Sequence, residues 1–581
     1  MPQPTDRAGN RPAIAFPSSA QPRPLQPRPL RLAIAGMGPR GLGALEALIA
    51  ALAARLPQER HAVTLDIFEP GPWPGAGPNF DPCQSPLMLL NIPIRAVRIA
   101  PPGPAPARVS SFESWLSSPP DNERFPARAE LGAYLAARFR TLAATLPGQV
   151  ALSRHETAIL GLERSGSGWY LESEAGRFGP YDEVLLAPGQ PRSAPDPQLA
   201  RWQGHARRTA ATLLPAYPAD RLLKVAEDWA GASVAIRGLG LSTLDAVRLL
   251  TLGLGGRFED GRYRPSGREP ARLLPFSLNG LPPWPKPASA GIDARFAPLP
   301  PESRAFEAAL DRALGAAPEA ALEAISAALE PAARRVLAAT GGDTGGVAAW
   351  LAAERASAAS QETRNATGLL RDGLAMARGS LPPSAGYAIG QIWRHWQNAL
   401  RRGVNPGATS PGTVAALIGF DEGLKRYSYG PPAETAEELL ILIEAGIVDL
   451  RTVDDPDILL TPEGWQLLEE DDSARVPVMV DAVLPSPALE RLEEPVLAGL
   501  RDAGRVAAMS EGLGVSTRPD AQVIDASGQV QAGLCLLGRA ALGSVIAVDS
   551  IHDCFGASAH RWAEGVLERA APGAARTAGP A

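Results

Sequence analysis

The chain has 581 residues, of which 56 are basic and 62 are acidic, and its formal net charge is −6. This length predicts two or three domains, and the balanced charge, without a long run of like residues, excludes a nucleic-acid-binding surface and a polybasic membrane patch. Three scattered cysteines argue against a disulfide framework and a paired zinc site, and no apolar stretch reaches the roughly 20 residues of a membrane span. The composition predicts a soluble cytoplasmic enzyme without a metal, nucleic-acid or membrane partner.

Both ends of the chain have the composition of disordered tails. Residues 1–30 include PSSAQPRPLQPRPL and lack the continuous apolar core of a signal peptide. Residues 571–581 are mainly alanine, glycine and proline. We therefore predict that the folded part begins near residue 31 and ends near residue 570.

The first predicted element is a short buried strand at residues 31–35, which a glycine turn connects to an amphipathic helix. The turn has the G-x-G-x-x-G spacing that brings backbone and a helix N-terminus against a pyrophosphate. Its candidate cofactor-binding residues are Gly36, Gly38, Pro39, Arg40 and Gly41. The next strand ends at Glu69, whose carboxylate would accept hydrogen bonds from an adenosine ribose and repel a 2′-phosphate. The pattern favours FAD or NAD over NADP; a tight turn with a solvated acid is the alternative.

Residues 181–191, YDEVLLAPGQP, predict a strand that ends in a turn at Gly189. Such a strand can deliver backbone against a bound dinucleotide, although a plain exit from a sheet has the same pattern. A strand followed by glycine recurs at residues 534–538, LCLLG.

A second glycine turn, in SVAIRGLGLSTLDAVRLL, predicts another nucleotide site. Gly238 and Gly240 form the turn, and Ser242 takes the place of the third glycine. Ser242 and Asp245 also fit a capping box, which would close the helix without any phosphate. The following strand ends in Ser277 instead of an acid, and a missing carboxylate is what a 2′-phosphate requires. The second site therefore favours NADPH, with NADH possible.

These pieces predict an α/β fold with two Rossmann-like dinucleotide-binding domains, the second inserted in the first, plus a helical insertion. We assign residues 31–220 and 505–570 to an FAD-binding domain and residues 225–300 and 385–500 to an NAD(P)-binding-like domain. The alanine-rich residues 301–384 are predicted to be the helical insertion.

The chain resembles the flavoproteins with two dinucleotide-binding domains, and within them a bacterial FAD/NAD(P)-binding family that includes a flavin-dependent urate hydroxylase and aspartate N-monooxygenases. The resemblance is carried by GMGPRGLGALEAL, PLMLLNIP, FPARAELGAYL, VAIRGLGLSTLDAVRLLTLG, YRPSGREP, KRYSYGPP and GSVIAVDSIHD. It implies that a reduced nicotinamide reduces FAD, and that O2 then supplies one oxygen atom to a small polar metabolite. An amino-acid nitrogen and a purine ring such as urate are the two substrate types that it suggests.

Three positions depart from the family pattern. The resemblance implies arginines where this chain has Leu254 and Leu278, and arginine is the preferred bidentate partner of phosphate. Many flavoproteins also carry an acid after the glycine that corresponds to Gly538, where this chain has Arg539. Asp549 is the candidate that would replace it at the ribityl chain of FAD.

The remaining candidates are polar residues in the family segments. Asn91 is the candidate catalytic residue because its amide could face the flavin ring or the nicotinamide; loop capping is the alternative. Arg128, Lys425 and Arg426 are candidate substrate-binding residues, and a solvated loop is the alternative for the last two.

The leading expectation is an FAD-dependent NAD(P)H monooxygenase. Two other functions remain open from the sequence: a flavin reductase or oxidase that transfers no oxygen, and an FAD-binding scaffold with a vestigial nicotinamide site.

Overall fold

The computed structural model describes residues 28–55, 62–99, 110–116, 121–166, 168–404 and 409–571. Most of the two predicted tails, residues 1–27 and 572–581, lies outside the described residues. Leu30, which the sequence placed in the first tail, is the first residue of a strand, so the ordered sheet begins one residue earlier than predicted.

The described residues form 18 strands. In chain order they are β1 (Leu30–Ala35), β2 (Val63–Phe68), β3 (Val150–His155), β4 (Ile159–Ser165), β5 (Gly168–Ser173), β6 (Gly176–Tyr181), β7 (Glu183–Leu186), β8 (Thr212–Pro215), β9 (Ser233–Arg237), β10 (Arg257–Glu259), β11 (Arg262–Arg264), β12 (Arg272–Phe276), β13 (Asp457–Thr461), β14 (Gly464–Glu469), β15 (Asp472–Val476), β16 (Val478–Asp481), β17 (Gln522–Ile524) and β18 (Val530–Leu536).

The helices are concentrated in the middle of the chain. In chain order they are α1 (Pro39–Ala54), α2 (Phe112–Trp115), α3 (Arg128–Ala144), α4 (Pro197–Ala206), α5 (Ala219–Ala226), α6 (Leu241–Thr251), α7 (Ala290–Asp293), α8 (Pro300–Leu314), α9 (Pro318–Thr340), α10 (Val347–Ala356), α11 (Ala366–Ala377), α12 (Ala385–Val404), α13 (Pro411–Ser428), α14 (Ala433–Glu444), α15 (Pro495–Asp502), α16 (Ile551–Cys554) and α17 (Ala557–Ala570).

The first sheet has the strand order β17-β18-β7-β1-β2-β3, and all its pairs are parallel except β17 with β18. Side chains alternate across it: Leu32 and Ile34 pack with α1, α3 and α17, whereas Ala33 packs on the opposite face with Trp169 and Leu171 of β5. Burial of both faces explains why its central strands are short apolar runs.

The second sheet has the order β12-β9-β16-β8 and is entirely parallel. One face packs against α5, α6, α11 and α14. The other face packs against the antiparallel sheet β13-β14-β15 through Trp465 and Leu467. All four strands of this sheet lie in the chain between β7 and β18 of the first sheet, so one parallel unit interrupts the other in sequence.

Between β12 and β16 of the second sheet, the chain forms a layer of helices. α8, α9 and α10 pack with α12 and α13 around Phe306, Trp393 and Trp396. The structure therefore groups residues 385–428 with this helical layer, whereas the sequence placed residues 385–500 with the second nucleotide unit. The helical periodicity of apolar residues in α12 is compatible with packing against the helical layer or against the second nucleotide unit. The sequence therefore did not determine to which of the two α12 belongs.

The α/β class with two Rossmann-like parallel sheets and a helical region is confirmed. Within the described residues, no helix has the length and apolar character needed to cross a membrane.

Candidate active site

The first glycine turn connects β1 to α1 beside the end of β7. Gly36 has a φ of +96°, and a Cβ at this position would lie 2.2 Å from the carbonyl oxygen of Ala187. Gly41 is equally constrained, because its Cβ would lie 2.2 Å from the carbonyl oxygen of Gly36. Glycine is therefore required here so that strand, turn and helix can approach one another.

The entrance to α1 has the features that a pyrophosphate needs. Gly38 is the N-cap, and no side chain of the described residues caps the helix, so its first N–H groups are available to an anion. A Cβ added to Gly189, in the turn after β7, would meet no described atom within 4 Å, which leaves space above the turn. Pro39 at the first helical position costs no hydrogen bond.

Glu69 holds the turn from the neighbouring strand. Its carboxylate is 8% exposed and accepts hydrogen bonds from the backbone N–H of Met37 at 2.8 Å and of Gly71 at 2.9 Å. These bonds fix the carboxylate at the carboxyl end of β2, where a ribose would lie in a Rossmann-like unit. A dinucleotide without a 2′-phosphate fits this arrangement. It would contact the free N-terminus of α1, the open space at Gly189 and the Glu69 carboxylate.

Arg40 is not free to bind a phosphate. It is buried and forms a salt bridge with Asp553 at 2.7 Å, and it also donates to the carbonyl oxygen of Val548 at 3.1 Å. A Cβ at Gly538 would lie 3.0 Å from the Arg40 side chain. Arg40 thus connects the first turn to the C-terminal segment.

The second glycine turn repeats this geometry at the end of β9. Gly238 has a φ of +115°, and its N–H donates to Phe276 at 2.8 Å. Gly240 is the N-cap of α6, which no described side chain caps. The hydroxyl oxygens of Thr243 and Ser277 are buried and lack a hydrogen-bond partner in the described structure. Unsatisfied buried hydroxyls beside an open helix N-terminus fit a polar ligand.

The capping-box alternative for the second turn is wrong. Asp245 does not turn back to the N-terminus of α6; it accepts hydrogen bonds from Arg128 at 2.5 Å and from the Tyr217 hydroxyl at 2.6 Å. Arg128 also donates to the carbonyl oxygen of Leu89 at 3.2 Å. Arg128 therefore joins α3 to α6 and has its charge neutralised there, which leaves Ser242 in the first turn of α6 without a capping role.

The two leucine positions have opposite environments. Leu254 is buried in the core between the second sheet and its helices, whereas the Leu278 side chain is 83% exposed. Of the arginines nearby, Arg257 pairs with Glu259 and Arg272 lies 3.5 Å from Asp449.

A cavity of about 660 Å³ opens at the outer edge of β12, and none of the predicted site residues lines it.

Asn91 lies where the first unit meets the segments around Lys286 and Tyr429. Its backbone carbonyl accepts a hydrogen bond from Lys286, and its side-chain amide donates to the carbonyl oxygen of Tyr429 at 3.4 Å. The Tyr429 hydroxyl in turn contacts Arg401 at 3.4 Å. We call Asn91, Lys286, Arg401 and Tyr429 the junction cluster.

Of the other candidates, Lys425 and Asp549 have their charges already paired, whereas Arg426 does not. Lys425 forms salt bridges with Glu422 at 2.6 Å and Asp549 at 2.8 Å, and Arg539 pairs with Asp549 at 2.6 Å. Burial would raise the pKa of Asp549, but the two cations outweigh it and hold that pKa well below its usual range. Arg426 is half-buried, and its Nη1 has no hydrogen-bond partner in the described structure.

The structure thus gathers the predicted residues into two turns and one junction. Gly36, Gly38, Gly41 and Glu69 surround the first turn, and Asn91 lies in the junction cluster. Sequence reasoning did not select Lys286 and Arg401. Lys286 had one usable signal, since it is one of three lysines in the chain and lies between two prolines in PPWPKP.

Comparison with known proteins agrees with this geometry. Residues 33–191 match a family model described as FAD-NAD(P)-binding. Nitrosuccinic acid synthase of Aspergillus oryzae is 34% identical over 269 residues, which are 43% of this chain and 40% of that protein. An L-aspartate N-monooxygenase of Streptomyces cremeus is 31% identical over 308 residues, which are 46% of this chain and 44% of that protein. The matched part therefore spans less than half the length of these curated relatives.

The solved structures that the chain matches include the ornithine N-hydroxylase of Kutzneria sp. 744, with a TM-score of 0.48 and 12% identity over 94% of this chain and 100% of that chain. L-lysine 6-monooxygenase of Pseudomonas syringae has a TM-score of 0.47 and 16% identity over the same shares, 94% and 100%. The family match confirms the resemblance drawn from the sequence motifs over residues 33–191, the part of the chain that is similar to the FAD-NAD(P)-binding model.

Proposed function

We propose that the protein is an FAD-dependent monooxygenase that takes hydride from NADPH and uses O2 to oxygenate an amino-acid nitrogen. The observation that carries this proposal is a pair of glycine turns, each followed by a helix whose N-terminus no described side chain caps. One turn lies beside the Glu69 carboxylate at a strand end, and the other lies beside Ser277. The free thiols Cys83, Cys535 and Cys554 support a reducing, cytoplasmic location.

The first turn would hold FAD. The N-terminus of α1 faces the pyrophosphate, Glu69 accepts from the adenosine ribose, and Gly36 and Gly189 leave room for the dinucleotide. Bound FAD supplies the hydride acceptor and the oxygen activation, which side chains do not provide. The protein contributes orientation and the exclusion of water.

The second turn would hold NADPH. The N-terminus of α6 faces its pyrophosphate, and the unpartnered Ser277 hydroxyl at the end of β12 is an available donor where a carboxylate would repel the 2′-phosphate. Exposed Leu278 and buried Leu254 supply no guanidinium, so this chain would bind NADPH with fewer phosphate contacts than the family pattern implies.

The relatives favour an amino-acid nitrogen over a purine ring, because both are named for chemistry at aspartate or its product nitrosuccinic acid. Asn91 is the residue of the first unit that reaches the junction cluster, and its side-chain amide is a donor suited to orient a ligand there.

The test is an anaerobic absorption titration of the FAD-loaded protein with NADPH and then with NADH. We expect NADPH to bleach the flavin bands in the absence of oxygen. When ¹⁸O2 is then admitted, L-aspartate should give a product that carries the label, whereas urate should give none. Reduction without labelled product would support the reductase or oxidase. A flavin that stays oxidised with both donors would support the FAD-binding scaffold. A protein that binds no FAD would exclude the monooxygenase, the reductase or oxidase, and the scaffold alike.

A further inference from the structure

The chain segment that follows α14 lies along the outer edge of β12 in the second sheet. Ser277, directly after β12, forms an isolated parallel bridge with Asp454 of this segment. The Ser277 N–H donates to the carbonyl oxygen of Val453 at 3.0 Å, and the Asp455 N–H donates to the carbonyl oxygen of Ser277 at 2.9 Å. The segment therefore brings its own side chains to the carboxyl end of β12, beside the second glycine turn.

Asp454 supplies a carboxylate at a strand end where the local sequence has a serine. A Cβ added to Gly280, in the loop after β12, would lie 2.8 Å from the Cβ and 3.2 Å from the Cγ of Asp454. The Asp454 side chain is exposed and forms no salt bridge with any described residue. In a Rossmann-like unit, an acid at this strand end accepts hydrogen bonds from the adenosine ribose and disfavours a 2′-phosphate.

Other carboxylates surround Asp454. The Asp454 N–H donates to Glu469 at 2.9 Å. Burial raises the pKa of Glu469, and the negative charges of Asp454, Glu470 and Asp472 raise it further. The electrostatic potential at this end of β12 is therefore negative, and it would oppose the charge that a 2′-phosphate adds to a dinucleotide.

The arginines near this strand end already have carboxylate partners. Arg272 and Arg451 lie 3.5 Å and 2.7 Å from Asp449, and Arg364 pairs with Asp372. All three arginines line the cavity at the outer edge of β12. A 2′-phosphate bound here would have to compete with those carboxylates for a guanidinium, the group that accommodates it in NADP-binding units.

Exposed apolar side chains flank the second glycine turn on both sides. Leu278, after β12, is 83% exposed, and Val483 and Leu484, after β16, are 44% and 50% exposed. β9, which ends in the turn at Gly238, lies between β12 and β16 in the sheet. Such surfaces are typical of ligand-binding grooves, and Leu278 lies on the side where the adenosine would bind.

We propose that Asp454 and Leu278 make the second turn a site that binds NADH at least as readily as NADPH. Asp454 accepts hydrogen bonds from the adenosine ribose hydroxyls, and Leu278 packs on the adenine at a position that offers no guanidinium to a 2′-phosphate. The proposal rests on the proposed function, since it concerns the hydride donor of that same site. It adds a ribose acceptor that comes from a distant part of the chain.

The test is calorimetric binding of ADP-ribose and 2′-phospho-ADP-ribose, the adenosine halves of the two donors, to the FAD-loaded protein. FAD occupies the first turn, so both ligands report on the second. We expect the native protein to bind ADP-ribose at least as tightly as the phosphorylated ligand. Asp454→Asn should weaken ADP-ribose and tighten 2′-phospho-ADP-ribose, and the ratio of the two dissociation constants should shift by roughly 10-fold, as for a hydrogen bond to a charged group.

Leu278→Arg is the opposite change, because it places a guanidinium at the same strand end. It should tighten 2′-phospho-ADP-ribose by roughly 10- to 100-fold and affect ADP-ribose little, since arginine can also stack on adenine. Asp228→Asn removes one exposed charge on the amino-terminal side of β9, and Leu459→Arg adds one on exposed β13. Both are matched controls and should keep the native ratio.

Flavin reduction gives a second readout that separates donor binding from chemistry. In anaerobic rapid mixing, NADH and NADPH should reduce the native flavin with similar limiting rates, because their nicotinamide ends are identical. Leu278→Arg should lower the half-saturating concentration of NADPH and leave the limiting rate unchanged. A merely structural effect of the substitution would change both donors alike.

Three results would overturn the proposal. Native protein that binds 2′-phospho-ADP-ribose more tightly than ADP-ribose would show that a cation meets the phosphate, and loss of that preference in Arg364→Gln would identify the cation. Unchanged ratios in both Asp454→Asn and Leu278→Arg would show that neither residue meets the adenosine, and binding of neither ligand would show that the turn holds none. The expected ratios without labelled product would instead count against the proposed function alone.

Discussion

Gly36 occupies a position that no other residue can take without strain. Gly36→Ala would combine a φ of +96° with a Cβ 2.2 Å from the Ala187 carbonyl oxygen. We expect a loss of about 3 kcal/mol in the free energy of unfolding and purification without flavin. Gly231→Ala, with a φ of +74° and no described atom within 4 Å of the Cβ, is the control; it should cost about 1 kcal/mol and keep the flavin. Retained flavin in Gly36→Ala would contradict the role assigned to the turn.

Asp549 gives the protein a predictable response to acid. Its carboxylate, held between Lys425 and Arg539, has a pKa below its unfolded value of about 3.9, so its stabilising contribution is complete above that pH and is lost as the pH falls toward the folded-state pKa. We expect Asp549→Asn to be less stable than the native protein at pH 7, with a difference that shrinks below about pH 4. Denaturant unfolding at pH 7, 5 and 3 measures this; a difference that grows in acid would have the wrong sign.

At the scale of elements, the ion pair between Arg128 and Asp245 joins α3 to α6. Asp245→Asn would leave Arg128 without its counter-charge, and we expect a loss of about 3–5 kcal/mol in unfolding free energy, as for a buried pair broken on one side. The double variant Arg128→Met with Asp245→Leu should recover most of that loss. Asp372→Asn, at the exposed pair with Arg364, should cost less than about 1 kcal/mol. Equal losses at both pairs would show that burial is not the deciding factor.

The elements were predictable where a local pattern determines them. The glycine turns, the strand that ends at Glu69 and the strand before Gly189 follow from spacing within a few residues. The capping-box alternative was wrong because Asp245 pairs with Arg128, which lies 117 residues earlier in the chain. No local sequence pattern reveals such a distant partner. Lys286 likewise reaches Asn91 across 195 residues, so the junction cluster could not be assembled from sequence.

At the scale of the whole molecule, each bound dinucleotide should protect segments that are far apart in sequence. Adding FAD should slow amide hydrogen exchange in β1, β2 and the end of β7 together with residues 534–553, because Arg40 and the first sheet join them. β8, β9, β12 and β16 should change little with FAD and respond to NADPH instead. Protection of the second sheet by FAD alone would contradict the assignment of the two turns.

The interruption of the first sheet by the second has a consequence for biosynthesis. β7 leaves the ribosome with one edge unpaired, and its parallel neighbour β18 follows only after the second sheet and the helical layer have been made. At about 5–20 residues per second this delay is on the order of tens of seconds. The nascent chain must therefore keep an exposed strand edge from aggregating while an inner unit folds first, and FAD capture is expected to be among the last steps of maturation.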